Sequence, residues 1–248
     1  MRRFFLYSAA FLFSITTYAQ FDRGGKKISD GLAWGQWDGL AILQTKQFKE
    51  DRDNTKNSHT FVQGSPYYTK TFKKAVVSYY EEVIPQDIYL RYNANTDELE
   101  MSSYQHTGET DQMLLPDKDL KAKIGSETYN YRSYYDNFKK KEVLKGYFIL
   151  LLEGSPYNLY LKKTKEFREA KIAKTSLERS FPARFEEKIQ YYFQTGNETL
   201  IPVKASKSSL YKVLDKKIVN SIFKKLTQSS GDEKQFLIHF FTELNSLK

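Results

Sequence analysis

Cysteine is absent from this chain of 248 residues. Its absence excludes disulfides, thiolate catalysis, Cys-ligated metals and lipid attachment through a cleavage-site cysteine. Histidine is nearly absent. The three histidines, His59, His106 and His239, are scattered, and no His-x-x-x-His or His-x-Glu spacing exists to hold zinc. His239 stands alone on a largely apolar stretch, where a structural role is the expectation. Gly-x-Ser-x-Gly is missing, and with it the strained turn that exposes a serine nucleophile. No Gly-rich phosphate loop and no nucleic-acid-binding motif occurs. Apolar runs are short. The longest, residues 4–15, falls short of the roughly 20 residues that a membrane-spanning helix needs.

That run has a different reading. MRRFFLYSAAFLFSITTYAQ places Arg2 and Arg3 before an apolar stretch and the small residues Thr17 and Ala19 after it, the order of a secretory signal peptide. The expectation is export with cleavage before Gln20, to the periplasm or to association with the outer membrane. What remains holds 37 Lys+Arg against 30 Asp+Glu, a net charge of +7. A hydrophobic fraction of 40% with 18 Phe and 19 Tyr suffices for a real core and argues against disorder.

Residues 87–101, DIYLRYNANTDELEM, are the clearest local signal. Ile88, Leu90 and Tyr92 alternate with Tyr89, Arg91 and Asn93, and Leu99 and Met101 alternate with Glu98 and Glu100. With Asn95 and Thr96 at a two-residue tip, Tyr92 faces Leu99, Leu90 faces Met101, Arg91 faces Glu100 and Asn93 faces Glu98. One face is then apolar and the other polar and charge-paired, so a slip of one residue would expose every apolar side chain. RYNANTDELEM, with the Tyr- and Phe-rich hairpins and two helices that follow, resembles secreted β-rich proteins common in Bacteroidota. The resemblance implies location and architecture and transfers no site.

Other strand signals recur at short intervals. They fall at residues 61–62, 67–72, 75–80, 112–115, 120–124, 127–134 and in a hairpin over 143–162 whose apolar core runs from Gly146 to Leu152. A last pair, 189–193 and 199–203, flanks Gly196-Asn197. Gly-Ser-Pro-Tyr occurs twice, at 64–67 and 154–157, as two similar turns. Residues 163–188 are highly charged and read as irregular. From Ser206 the period becomes helical. Leu210, Leu214, Ile218, Ile222 and Leu226 recur every four residues after an N-cap at Ser208, and Gly231-Asp232 breaks the chain before a second helix that buries Leu237, Phe240, Phe241 and Leu244.

The fold class implied is α+β: an antiparallel β-meander, a curved sheet or a partly open barrel, with a C-terminal pair of helices packed against it. The expected divisions are a signal peptide over 1–19, an irregular Gly/Trp-rich segment over 20–59 with Trp34 and Trp37, the meander over 60–205 and the helical pair over 206–248.

Charge is unevenly placed. Ten acidic residues lie between Glu81 and Asp119 against Arg91 and Lys118, while seven lysines lie between Lys204 and Lys225 against Asp215 alone. Two solvated faces, partly paired within the fold, would account for this. The sharper reading is a basic face, Lys212, Lys216, Lys217, Lys224 and Lys225, for an anionic lipid headgroup, a glycan or an envelope protein. Chemistry has one opening, the carboxylates Asp97, Glu98 and Glu100, but Arg91 and Asn93 answer them across the hairpin. The sequence names no catalytic residue, metal or cofactor. Two functions follow: a non-enzymatic binding or assembly module of the cell envelope, or a carbohydrate-active or other hydrolase that uses carboxylates. A concave pocket that gathers two carboxylates among aromatics would speak for the second, a filled sheet for the first.

Overall fold

The computed structural model describes residues 62–110, 112–137, 142–175, 177–226 and 232–247. The expected signal peptide, the Gly/Trp-rich segment, both tryptophans and His59 lie outside these residues. Ten strands form one antiparallel sheet: β1 (Lys73–Tyr79), β2 (Glu82–Val83), β3 (Ile88–Asn93), β4 (Glu98–Ser102), β5 (Leu120–Ile124), β6 (Glu127–Tyr135), β7 (Val143–Leu152), β8 (Tyr157–Arg168), β9 (Arg184–Thr195) and β10 (Ile201–Val203). Three helices follow, α1 (Lys207–Leu210), α2 (Lys216–Leu226) and α3 (Glu233–Ser246).

The spatial order is β10-β9-β8-β7-β6-β5-β1-β3-β4, with β2 paired to β1 alone. From β5 onward this is a meander. Before it the order departs from the chain, because β1 lies between β3 and β5. Residues 67–72, expected as a strand, pair only at Tyr67, and residues 112–115 only at Met113, which bridges to Glu100 on β4. Both segments run across the β3–β4 hairpin as covering.

Side-chain alternation sorts the sheet into two faces. Val77, Leu90, Leu99, Ala122, Tyr147, Ile149, Leu161 and Phe193 share one face and one core. Strands as far apart in the sheet as β4 and β9 contribute to that core, so the sheet curls around it. Leu237, Phe240, Phe241 and Leu244 of α3 and Val219 and Ile222 of α2 close it from the other side. The four α3 residues are those the periodicity singles out. Opposite, Phe148, Tyr160, Tyr192 and Leu200 form a smaller cluster, with Tyr134 and Phe148 edge to face at 5.1 Å. The Gly146–Leu152 run is therefore a central strand, and Tyr147, Phe148 and Ile149 bury side chains on both its faces.

The β3–β4 register is the one the alternation demands, with Leu90 opposite Met101, Arg91 opposite Glu100, Tyr92 opposite Leu99 and Asn93 opposite Glu98. Its tip is wider than expected. Four residues, 94–97, connect the strands, with Asp97 left-handed at φ +59°. β7 and β8 pair only between Ile149–Leu152 and Leu159–Leu161, and where they part this tip inserts. Lys165 N donates to Ala94 O at 2.9 Å, and Asn95 Nδ2 donates to Lys165 O at 2.8 Å. Asp97 Oδ1 accepts from Tyr147 N at 3.3 Å. A Cβ on Gly146 would lie 2.2 Å from Asp97 Oδ2 and 2.6 Å from Lys162 Nζ, so a larger residue there would displace that ion pair.

Two further expectations fail. Residues 163–188 are not irregular: β8 and β9 continue as a two-stranded ribbon to the Arg168–Arg184 pair, which leaves only 169–183 as a loop. The single helix from Ser206 is two. Ser206, not Ser208, caps α1 by accepting from Ser209 N, and Asp215 caps α2 by accepting from Lys217 N at 2.8 Å and Ile218 N at 3.2 Å. The four-residue stripe breaks there. Ile218 is exposed, and Val219 takes its place in the core.

Candidate functional site

The five lysines expected to form a basic face are all exposed. Lys212 lies in the turn after α1, Lys216 and Lys217 open α2, and Lys224 and Lys225 close it. At 3.6 residues per turn, Lys217 and Lys224 point away from the stripe of buried Val219 and Ile222 and half-buried Leu226, and Lys216 and Lys225 flank them. The lysines are therefore spread over a wide arc of the helix rather than gathered at one point. Lys225 Nζ donates to Glu243 Oε2 on α3 at 3.2 Å. Two lysines in the first turn of α2 oppose the helix dipole, with no acidic residue in that turn to offset them.

The acidic run behaves differently. Five of its members are paired: Glu81, Asp87, Asp97 and Glu100 with Lys121, Lys74, Lys162 and Arg91 of the sheet, and Asp119 with its neighbour Lys118. The polar face of the hairpin is not solvated, as a half-buried strand would have it. Arg91 and Glu100 are 3% and 0% exposed, roofed by residues 67–72 and the loop after β4. Arg91 Nε and Nη2 both donate to Glu100 Oε2, and Nη1 donates to Lys70 O at 2.8 Å. Tyr67 Oη and Asn93 Nδ2 donate to Glu100 Oε1, each at 2.9 Å. Arg91 is sandwiched between the Tyr67 and Phe72 rings at 3.9 and 4.2 Å. Every oxygen of Glu100 is occupied, which leaves it no role as an acid or base.

Asp97 is equally committed. Lys162 Nζ donates to its Oδ2 at 2.6 Å and Tyr92 Oη to its Oδ1 at 2.6 Å. Burial pushes the Lys162 ammonium below its ordinary pKa, with Asp97 opposing the shift. Burial, and then the Asp97 charge, hold the Tyr92 hydroxyl well above its ordinary value.

A cleft of about 360 Å³ opens on the face of the sheet opposite the main core. Lys121, Asn130, Leu150, Tyr160 and Gln194 form its floor across five strands, and Tyr80 and Glu81 of the β1–β2 turn form its rim. Carboxylates are present as Glu81, Asp119 and Glu153. This is the concave pocket that would speak for a hydrolase, yet its carboxylates are unsuited to the work. Glu81 has 76% of its side chain exposed and is paired with Lys121, and Glu153 is exposed. A glycosidase acid needs a carboxyl enclosed by apolar groups. No periodic signal marks these residues in the sequence, since they come from five strands and the turns that join them.

Among the described residues no group of three or more His, Asp and Glu side chains is placed to hold a metal ion, and no helix is long and apolar enough to cross a membrane. No protein-family model, curated protein or solved structure matches the chain.

Proposed function

We propose that this protein is an exported, non-enzymatic binding module of the cell envelope whose helical cap docks on an anionic component, a lipid headgroup or an acidic glycan. The observation that supports this reading is the separation of the two charged runs. Four members of the acidic run draw counterions from Lys74, Arg91, Lys121 and Lys162 of the sheet, while Lys216, Lys217 and Lys224 stand in solvent on a helix that already buries its apolar face. Charge held that way serves association, because exposed cations raise the local concentration of an anionic partner. Of the carboxylates that could have done chemistry, Asp97 and Glu100 are held in ion pairs, and Glu81 and Glu153 lie open to water.

Cosedimentation with vesicles tests the reading. Binding to vesicles containing phosphatidylglycerol should exceed binding to phosphatidylcholine alone. It should weaken as salt rises from about 0.1 to about 1 M, where the screening length falls from roughly 10 to roughly 3 Å. Replacing Lys212, Lys216, Lys217, Lys224 and Lys225 with Gln should abolish it. Equal binding by that variant, or indifference to salt, would reject the basic face.

A further inference from the structure

We infer that the cleft opposite the main core is a binding site for a neutral polyhydroxylated ligand, a short saccharide. Its volume of about 360 Å³ falls in the range of small-ligand sites. The lining chemistry names the ligand. Four side-chain amides, Asn130, Asn158, Gln194 and Asn197, converge on it. Gln194 and Asn130 fix the floor through bonds within the protein, while Asn158 Nδ2 and the Asn197 amide remain to meet a sugar hydroxyl, which donates and accepts from one position. The floor is preorganised: Tyr160 Oη donates to Gln194 Oε1 at 3.1 Å, Gln194 Nε2 donates to Glu198 O at 2.6 Å, and Asn130 Nδ2 donates to Thr128 O at 3.3 Å. Three cations, Lys118, Lys121 and Arg132, balance the three carboxylates. The site therefore has no net charge with which to select an ion, and this separates it from the basic helical cap.

The rim carries a second indication. Tyr80 and Glu81 hold φ of +48° and +66°, left-handed values that a two-residue hairpin turn requires and that Asn-Gly meets without strain. A tyrosine there is a genuine outlier. Its ring meets that of Tyr79 edge to face at 4.4 Å, and the residue is 64% exposed at the mouth of the cleft. An exposed aromatic face maintained against backbone preference is what a sugar ring stacks on.

Saturation-transfer NMR and calorimetry on the purified protein, with cellobiose, maltose and lactose as probes, test the site. At least one disaccharide should bind saturably at millimolar concentration. Tyr80→Gly should weaken that binding about tenfold, or about 1.4 kcal/mol, while melting no earlier than the parent, because glycine relieves the turn. Asn197→Ala should weaken it severalfold. The five-lysine Gln variant should bind the sugar unchanged, so this site and the anionic docking surface stand or fall separately. Absence of saturable binding by all three sugars, unchanged affinity in Tyr80→Gly, or full displacement of the sugar by inorganic phosphate would overturn the inference.

Discussion

The β3–β4 hairpin and helix α2 are both rich in charge, and they spend it in opposite ways. On the hairpin Arg91 and Glu100 lose almost all contact with water, and their hydrogen-bonding capacity is filled by each other, by Tyr67 and Asn93 and by the backbone of residue 70. On α2 the lysines stay wet, and the apolar residues between them do the packing. A charge removed from water must be paired and hydrogen-bonded or it is strongly destabilising. A charge left in water contributes little to the fold and is free to serve association. The hairpin's ions belong to the architecture, and those of α2 are left in solvent.

The largest effects should come from breaking the buried side. Leu90 is fully enclosed on the core face, and Leu90→Asp places an unpaired carboxylate there. That change should prevent folding, read as loss of the cooperative melt. Glu100→Ala should cost about 3–5 kcal/mol in denaturant unfolding, because it strands the Arg91 guanidinium in the interior. Loss of less than about 1 kcal/mol would mean that water reaches Arg91, and the contrast between the two regions would collapse.

This contrast was only half legible in the sequence. The alternation of Ile88, Leu90, Tyr92, Leu99 and Met101 specifies the register because one slip would expose all five. Nothing local says that the opposite face is roofed, since the cover includes residues 67–72 and 112–115, whose strand signals read as members of the sheet. The β8–β9 ribbon was hidden for a related reason. Glu166, Arg168, Arg184, Glu186 and Lys188 pair with one another within and across the two strands, so this end of the ribbon forms with little apolar alternation to betray it. On the helices the error lies in the spacing. Residues four apart advance about 400°, a drift of some 40° at each step, so no straight helix could bury all of Leu210, Leu214, Ile218, Ile222 and Leu226. The chain resolves this by stopping at Leu210 and restarting at the Asp215 cap.

An intermediate effect should appear at high pH and should arise from the sheet alone. Burial raises the hydroxyl pKa of Tyr68 and Tyr134 to about 12, and those of Tyr92, Tyr129 and Tyr147 are raised as well, with burial again the leading cause. A raised folded-state pKa contributes stability that is fully present below the unfolded value near 10 and is lost as pH climbs through the folded one. Each well-buried tyrosine should remove about 1.4 kcal/mol per pH unit in that window. Lys162 acts with the opposite sign, since its lowered pKa means that the folded state gains as pH rises towards 10.5, but it is one group against several. Denaturant melts from pH 8 upward should show constant stability to about pH 10 and a steep fall above it. A fall beginning near pH 8 would point away from the tyrosines.

The smallest effect is the one that sharpens the comparison most. Lys216 and Lys217 stand in the first turn of α2, where the helix dipole favours an anion, and only the Asp215 cap offsets them. If their charge served the fold, reversing it should cost stability. Dipole electrostatics predicts the reverse: Lys216→Glu with Lys217→Glu should stabilise the protein by about 0.3–1 kcal/mol per residue at low ionic strength, seen as a small rise in melting temperature that salt erases. The same double variant should lose most of its affinity for phosphatidylglycerol vesicles, because two of the five cations become anions at the edge of the basic arc. A gain in stability coupled to a loss of binding would identify these lysines as residues retained at the fold's expense for an external partner. A drop in melting temperature would instead assign them to the architecture, alongside Arg91 and Glu100, and would remove the distinction between the two regions.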